Sequence, residues 1–139
     1  MPELTLRLIT PDRIVLDATA TSVQVPAVDG LMGILPRHAG MVAALDVGPM
    51  IYESGGKKES VFVSGGFVEV RDNTVRVVSE AGERPSAIEE ERALAAEKRA
   101  RERLDEARGP ERSQIDILRA QASLRRAQWR LKLRRGPRS

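Results

Sequence analysis

Hydrophobic and polar positions follow two different rhythms along the chain. In the first half they alternate in twos. Leu4, Leu6 and Leu8 are separated by Thr5 and Arg7; Val23 and Val25 flank Gln24; Val68 and Val70 flank Glu69; Val75 and Val77 flank Arg76. A period of two puts one face of each segment on a core and the other in water, as in half-buried β-strands. Turn formers punctuate the runs: Pro11-Asp12, Asp29-Gly30, Gly48-Pro49, Gly55-Gly56 and Gly65-Gly66. Asp72-Asn73 separates two alternating runs, and both residues tolerate the positive φ of a tight hairpin. Short, evenly spaced strands over about 80 residues predict a small all-β sandwich or barrel.

Beyond Glu83 the rhythm becomes helical. Pro85 closes the strand region, and Ser86-Ala87-Ile88-Glu89 fits a capping box opening a helix over about 87–107. Its apolar stripe is Ala93, Ala96, Ala100, Leu104 and Ala107, and Gly109-Pro110 stops it. Ser113-Gln114-Ile115-Asp116 opens a second helix, about 114–134, in which Ile117, Ala120, Leu124, Ala127 and Leu131 recur at 3,4,3,4 spacing. Two matched stripes around a short break predict an antiparallel helical hairpin. The domains are therefore placed at 1–84 and 85–139. Because the stripes are rich in Ala, the helices bury little apolar area, and such a hairpin is expected to exchange packing partners at low cost.

Composition narrows the chemistry. The 139 residues contain no cysteine and one histidine, and only 3% are aromatic. Disulfides, thiol nucleophiles, Cys-type metal centres and multi-His metal sites are excluded. No apolar run reaches the roughly 20 residues of a membrane helix, and MPELTLRLIT has neither the basic nor the apolar region of a signal peptide. Charge is divided unevenly. Residues 1–84 carry 8 Lys/Arg and 11 Asp/Glu, net −3, whereas residues 85–139 carry 15 and 9, net +6. A basic second half points to an acidic partner surface.

A search for catalytic groups finds little. No GxSxG or GxxxxGK[ST] motif occurs, and the carboxylates are scattered. Ser64 in VSGGF reads as part of a turn or bulge rather than as a nucleophile. His38, in GLMGILPRHAG, lacks the partners that catalysis or metal binding requires. It is expected to hold the shape of a loop by hydrogen bonding, with Ile34 and Leu35 beside it delivering apolar side chains to the sheet end. The helices carry Arg92, Arg99, Arg103, Arg119, Arg125, Arg126, Arg130, Lys132, Arg134 and Arg135. Some serve i,i+4 pairs such as Glu97–Arg101. Arg126 and Arg130 share a face and could jointly hold a phosphate or an acidic helix. Nucleic acid is a rival partner, in a stand-alone adaptor with a basic hairpin, but nine acids and a lone Trp129 weigh against it.

Three blocks, TPDRIVLDATATSVQVPAVDGLMGILPRHAGMVAAL, VSGGFVEVRDNTVRVVSEAGER and the two-helix tail, closely resemble the epsilon subunit of bacterial F-type ATP synthases. The resemblance spans essentially the whole chain. It implies a flattened antiparallel β-sandwich of about ten short strands, followed by an α-helical hairpin, with no catalytic residues and no required cofactor or metal. It further implies a rotor subunit on the cytoplasmic face of the inner membrane, attached to that membrane only through the complex. The sandwich would bind the gamma subunit and the c-subunit ring through a loop containing Leu31, Met32 and His38. The helices would reach the catalytic beta and alpha subunits and oppose ATP hydrolysis. Some family members bind regulatory ATP through I/L-D-x-x-R-A. The matching stretch here is Ile88 to Ala93, with Arg92 kept and Glu89 in place of Asp; Glu83, Arg99, Arg126 and Arg130 align with other family ATP contacts. Family members often have a charge where Leu31 and Met32 stand, so the resemblance with this departure implies an apolar tip toward the ring. A second I-D-x-x-R-A, Ile115 to Ala120, is taken as local capping similarity.

Overall fold

The computed structural model describes residues 2–106 and 114–136. The chain divides into two compact units, Met1–Arg84 and Pro85–Ser139.

The first unit contains ten strands: β1 (Leu4–Ile9), β2 (Ile14–Ala20), β3 (Ser22–Ala27), β4 (Gly30–Ile34), β5 (Met41–Ala44), β6 (Val47–Ser54), β7 (Lys57–Ser64), β8 (Phe67–Arg71), β9 (Thr74–Val78) and β10 (Gly82–Glu83). They form two five-stranded sheets, ordered β2-β1-β9-β8-β5 and β10-β7-β6-β3-β4. The alternating Leu and Val residues face inward. Leu4, Leu6, Leu8, Val23, Val25, Val68, Val70, Val75 and Val77 all join one buried core with Ile34, Met50 and Tyr52. Each buried Val, Leu, Ile or Met side chain contributes about 1.5–3 kcal/mol, so aliphatic packing is the main attraction between the two sheets. Every strand pair is antiparallel except β1 with β9, which run parallel from Thr5↔Thr74 to Ile9↔Val78. Alternation marks which face a residue takes but carries no information about strand direction or neighbours, so this pairing is not legible in it.

The VSGGF stretch sits where the chain passes from β7 in one sheet to β8 in the other. The Ser64 amide donates to the hydroxyl of Ser79 (2.9 Å), a buried polar side chain on the facing segment. Gly66 has φ +93°, and a Cβ there would lie 1.9 Å from the Val78 carbonyl oxygen, so only glycine fits. The serine is part of a crossover, as its flanking glycines suggest.

In the second unit, a 3-10 turn (Pro85–Ala87) leads into α1 (Glu90–Glu106), and α2 spans Gln114–Arg135. The first helix starts later than the capping-box reading places it. Pro85 through Ile88 close a separate tight turn through the Ile88 amide and the Pro85 carbonyl (3.2 Å). The first helical bond then runs from the Ala93 amide to the Glu89 carbonyl (3.0 Å). Glu89, not Ser86, thus stands at the helix boundary, with Glu90 and Glu91 favourably placed in the first turn. Ala107, Gly109-Pro110 and Ser113 lie outside the described residues.

Candidate functional site

Two edge strands, β4 and β5, define one side of the sandwich. The chain leaves β4 at buried Ile34, turns through residues 35–40 and enters β5, passing from one sheet to the other. Arg37 takes a left-handed conformation (φ 69°) that non-glycine residues rarely adopt. The corner is closed by the His38 amide donating to the Leu35 carbonyl (3.1 Å). His38 Nδ1 lies 2.8 Å from the Ala39 carbonyl oxygen; since a carbonyl only accepts, that nitrogen carries the proton and donates. The Arg37 amide donates to Asn73 Oδ1 at 2.6 Å. Asn73 belongs to the β8–β9 turn, where it and Asp72 both have positive φ (58° and 48°).

This side of the sandwich is apolar. Leu31 is 69% exposed and Val42 68%. Leu35, expected to point into the sheet end, is 62% exposed instead; with Pro36 fixing the turn after Ile34, the inward place is already taken by Ile34. Met32 packs against the core, so of the two apolar tip residues only Leu31 is presented. Residues 27–33 and 42–44 line a cleft between the two edges, kept in register by the Val28 amide and the Ala44 carbonyl (3.0 Å).

A second apolar feature emerges from strand register. On the outer face of the β2-β1-β9-β8-β5 sheet, Ile14, Ile9, Val78, Phe67 and Ala44 are successive cross-strand partners. They form one exposed or half-buried row across all five strands. The next row outward on that face is Asp17, Arg7, Arg76, Glu69 and Val42, charged over four of its five positions, with Arg7 and Asp17 3.7 Å apart. Sequence inspection missed the apolar row because its members come from five separate segments. Each looks like an isolated surface residue until pairing is known.

The hairpin seam is thin. Its buried residues include Ala93 and Ala100 on α1, and Ala120, Ala127 and Leu131 on α2. One end is tied by Arg135 Nε donating to Glu90 Oε1 at 2.9 Å, which makes the helices antiparallel. Arg92, Arg99, Arg103, Arg119, Arg126 and Arg130 each directly precede a buried or half-buried seam residue. In an antiparallel pair, residues offset in the same sense from the seam fall on the same side of both helices. Six arginines therefore line one side of the hairpin, while Glu90 and Arg135, offset the opposite way, pair on the other. Counting 1.5 Å per residue from Glu90–Arg135 sets Arg126 level with Arg99.

The nucleotide-motif residues are divided. Ile88 and Ala93 are buried; Glu89, Arg92 and Arg99 are exposed; Arg126 and Arg130 are half-buried. Arg126 is hydrogen-bonded to Ser123 Oγ (3.0 Å). Glu83 belongs to the sandwich unit, on β10 opposite Phe62. Among the described residues no group of three or more His, Cys, Asp or Glu is placed to hold a metal ion.

A two-sheet sandwich with an apolar edge, joined in sequence to a thin arginine-lined hairpin, defines a protein of the sandwich-plus-hairpin class. Two family models divide the chain between them. The ATP synthase delta/epsilon chain β-sandwich domain matches residues 3–85. The ATP synthase delta/epsilon chain long α-helix domain matches residues 86–133. Among relatives, the ATP synthase epsilon chain of Halalkalibacterium halodurans is 46% identical over 108 residues, 78% of this chain and 81% of that one. The epsilon chain of Symbiobacterium thermophilum is 48% identical over 105 residues, 75% of this chain and 76% of that one. The fold also resembles a chain of the Euglena gracilis mitochondrial ATP synthase, in the OSCP/F1/c-ring structure. The TM-score is 0.76 at 23% identity, covering 92% of this chain and 79% of that one. The chain belongs to the ATP synthase delta/epsilon chain family.

Proposed function

We propose that this chain is the epsilon subunit of an F-type ATP synthase, a non-catalytic part of the central stalk. Its sandwich docks on the gamma subunit and the c-subunit ring, and its hairpin opposes ATP hydrolysis by engaging the beta and alpha subunits. The chain then sits on the cytoplasmic face of a bacterial membrane as a peripheral component; no helix among its described residues is long and apolar enough to cross one. The observation that carries this reading is the apolar row Ile14-Ile9-Val78-Phe67-Ala44, continued at the β5 edge by Val42. Contiguous exposed apolar surface on a small rigid sandwich marks a protein interface. The arginine strip supports the second part of the reading, since guanidinium groups spaced along one side suit an acidic surface. The test is truncation before Pro85: the sandwich alone should still copurify with gamma, and hydrolysis should be released from inhibition. Loss of gamma binding in that variant refutes the docking role of the sandwich.

The same strip supports regulatory binding of ATP on the hairpin. Arg99 and Arg126 share a side and a level, which is what a polyphosphate needs. Arg126 is already engaged with Ser123, and the longer side chain of Glu89 sets its carboxylate differently from an Asp, so the affinity is low. No cofactor is needed for folding or docking.

A further inference from the structure

We infer that Asn73 is the positioning residue of the docking corner at residues 35–40, an inference that rests on the reading that this edge docks. Arg37 is held in a left-handed conformation without being a glycine, so something outside it must favour that state. Within the corner, the His38-to-Leu35 bond closes the turn. The tie from outside is the 2.6 Å bond from the Arg37 amide to Asn73 Oδ1, made across 36 positions of sequence. Asn73 is itself well anchored. It occupies a two-residue turn between β8 and β9, and its carbonyl accepts from the Thr5 amide at 2.8 Å, joining the turn to the start of β1. The corner therefore takes its shape partly from the β8–β9 turn of the sheet it leads into, not from its own residues alone. Through this bond the backbone that carries exposed Leu35 and Arg37 is fixed at the end of β4 where the chain turns into β5.

The two jobs of Asn73 are separable. Its turn conformation and its carbonyl are backbone properties that glycine keeps, whereas only the side chain supplies Oδ1. Asn73→Gly thus deletes the tie alone, and Asn73→Asp keeps an acceptor in the same place.

The experiment uses the full chain with two readouts: hydrogen exchange of the Arg37 amide by NMR, and affinity for a rotor of gamma subunit plus c-ring. Asn73→Gly should accelerate Arg37 exchange and weaken rotor affinity by roughly 2- to 10-fold, the worth of one hydrogen bond. Asn73→Asp should restore both. Unchanged Arg37 exchange in Asn73→Gly overturns the inference directly. So does faster exchange with unchanged affinity, provided that Val42→Lys weakens binding. If Val42→Lys and Leu35→Ser also leave affinity untouched, the docking reading itself fails, and the inference falls with it.

Discussion

Glu90 and Arg135, 45 positions apart, meet at 2.9 Å and join the first turn of α1 to the last turn of α2. Each also sits at the helix end that suits its charge, an acid at an N-terminus and a base at a C-terminus. Both side chains are about half exposed (44% and 48%), so the pair is weak in absolute terms. It matters because the seam it closes is made mostly of Ala, whose methyl groups contribute only about 0.8 kcal/mol each. Glu90→Ala should lower hairpin stability by about 0.5–1 kcal/mol. Trp129, the only tryptophan, reports on this unit in thermal melts. The difference between variant and parent should vanish at about 1 M salt; a difference that survives high salt means the pair acts through packing.

Gly66 and Gly65 should respond very differently to alanine. Both have positive φ, but a Cβ at Gly65 meets open space, whereas one at Gly66 collides with the Val78 backbone. Urea denaturation should show a loss of about 1 kcal/mol for Gly65→Ala. For Gly66→Ala the loss should be about 3 kcal/mol or more, or folding should fail, as overpacking against backbone demands. Equal losses would contradict the crossover geometry.

Leu31 projects from the start of edge strand β4 with most of its surface in solvent. Leu31→Glu should therefore change sandwich stability by no more than about 0.5 kcal/mol. Proton-driven ATP synthesis in reconstituted vesicles should fall relative to ATP hydrolysis, since the variant puts a charge on the apolar docking edge. Unchanged coupling counts against an apolar contact with the ring.

Reversing charge on the arginine strip should release inhibition. Arg99→Glu with Arg126→Glu should raise ATP hydrolysis by the assembled complex. Arg101→Glu should do so much less, because Arg101 lies on the opposite side and is paired with Glu97 at 3.7 Å. Steady-state hydrolysis rates compare the two directly. Because the double variant changes the charge by twice as much, an Arg101→Glu effect half as large would show that net charge matters and sidedness does not.

ATP at about five times its dissociation constant stabilises a binding-competent fold by about 1 kcal/mol. A millimolar titration of the full chain should raise the Trp129-detected melting temperature by a few degrees at most. Arg126→Ala should abolish the rise. Indifference of the parent to ATP removes nucleotide from the regulatory picture.

Much of this architecture is legible in the sequence, and the illegible parts share a cause. Alternating Val and Leu runs reveal which residues enter the core, and Ala spacing reveals the hairpin seam, because both signals are local. Asp72-Asn73 was readable as a turn for the same reason. The apolar row, the one-sided arginines and the Asn73–Arg37 tie were not readable. Each depends on which distant segments become neighbours, and side-chain period carries no such information. Leu35 misleads for a related reason: adjacency to buried Ile34 says nothing about which way a proline-fixed turn sends the next side chain.

The parallel pairing of β1 with β9 has a consequence for the order of events in the newly made chain. β1 is synthesised first but lies inside its sheet, and its inner neighbour is the ninth strand, so Thr5 waits for Thr74. Contacts this distant are slow to form. β5 is likewise paired only with β8. The apolar row draws on all five of these strands, so it does not exist as a surface until β9 is in place. The five-strand row is then completed in the same step as its sheet, and a fragment ending before β9 offers at most its separate Ile9–Ile14 and Phe67–Ala44 pieces.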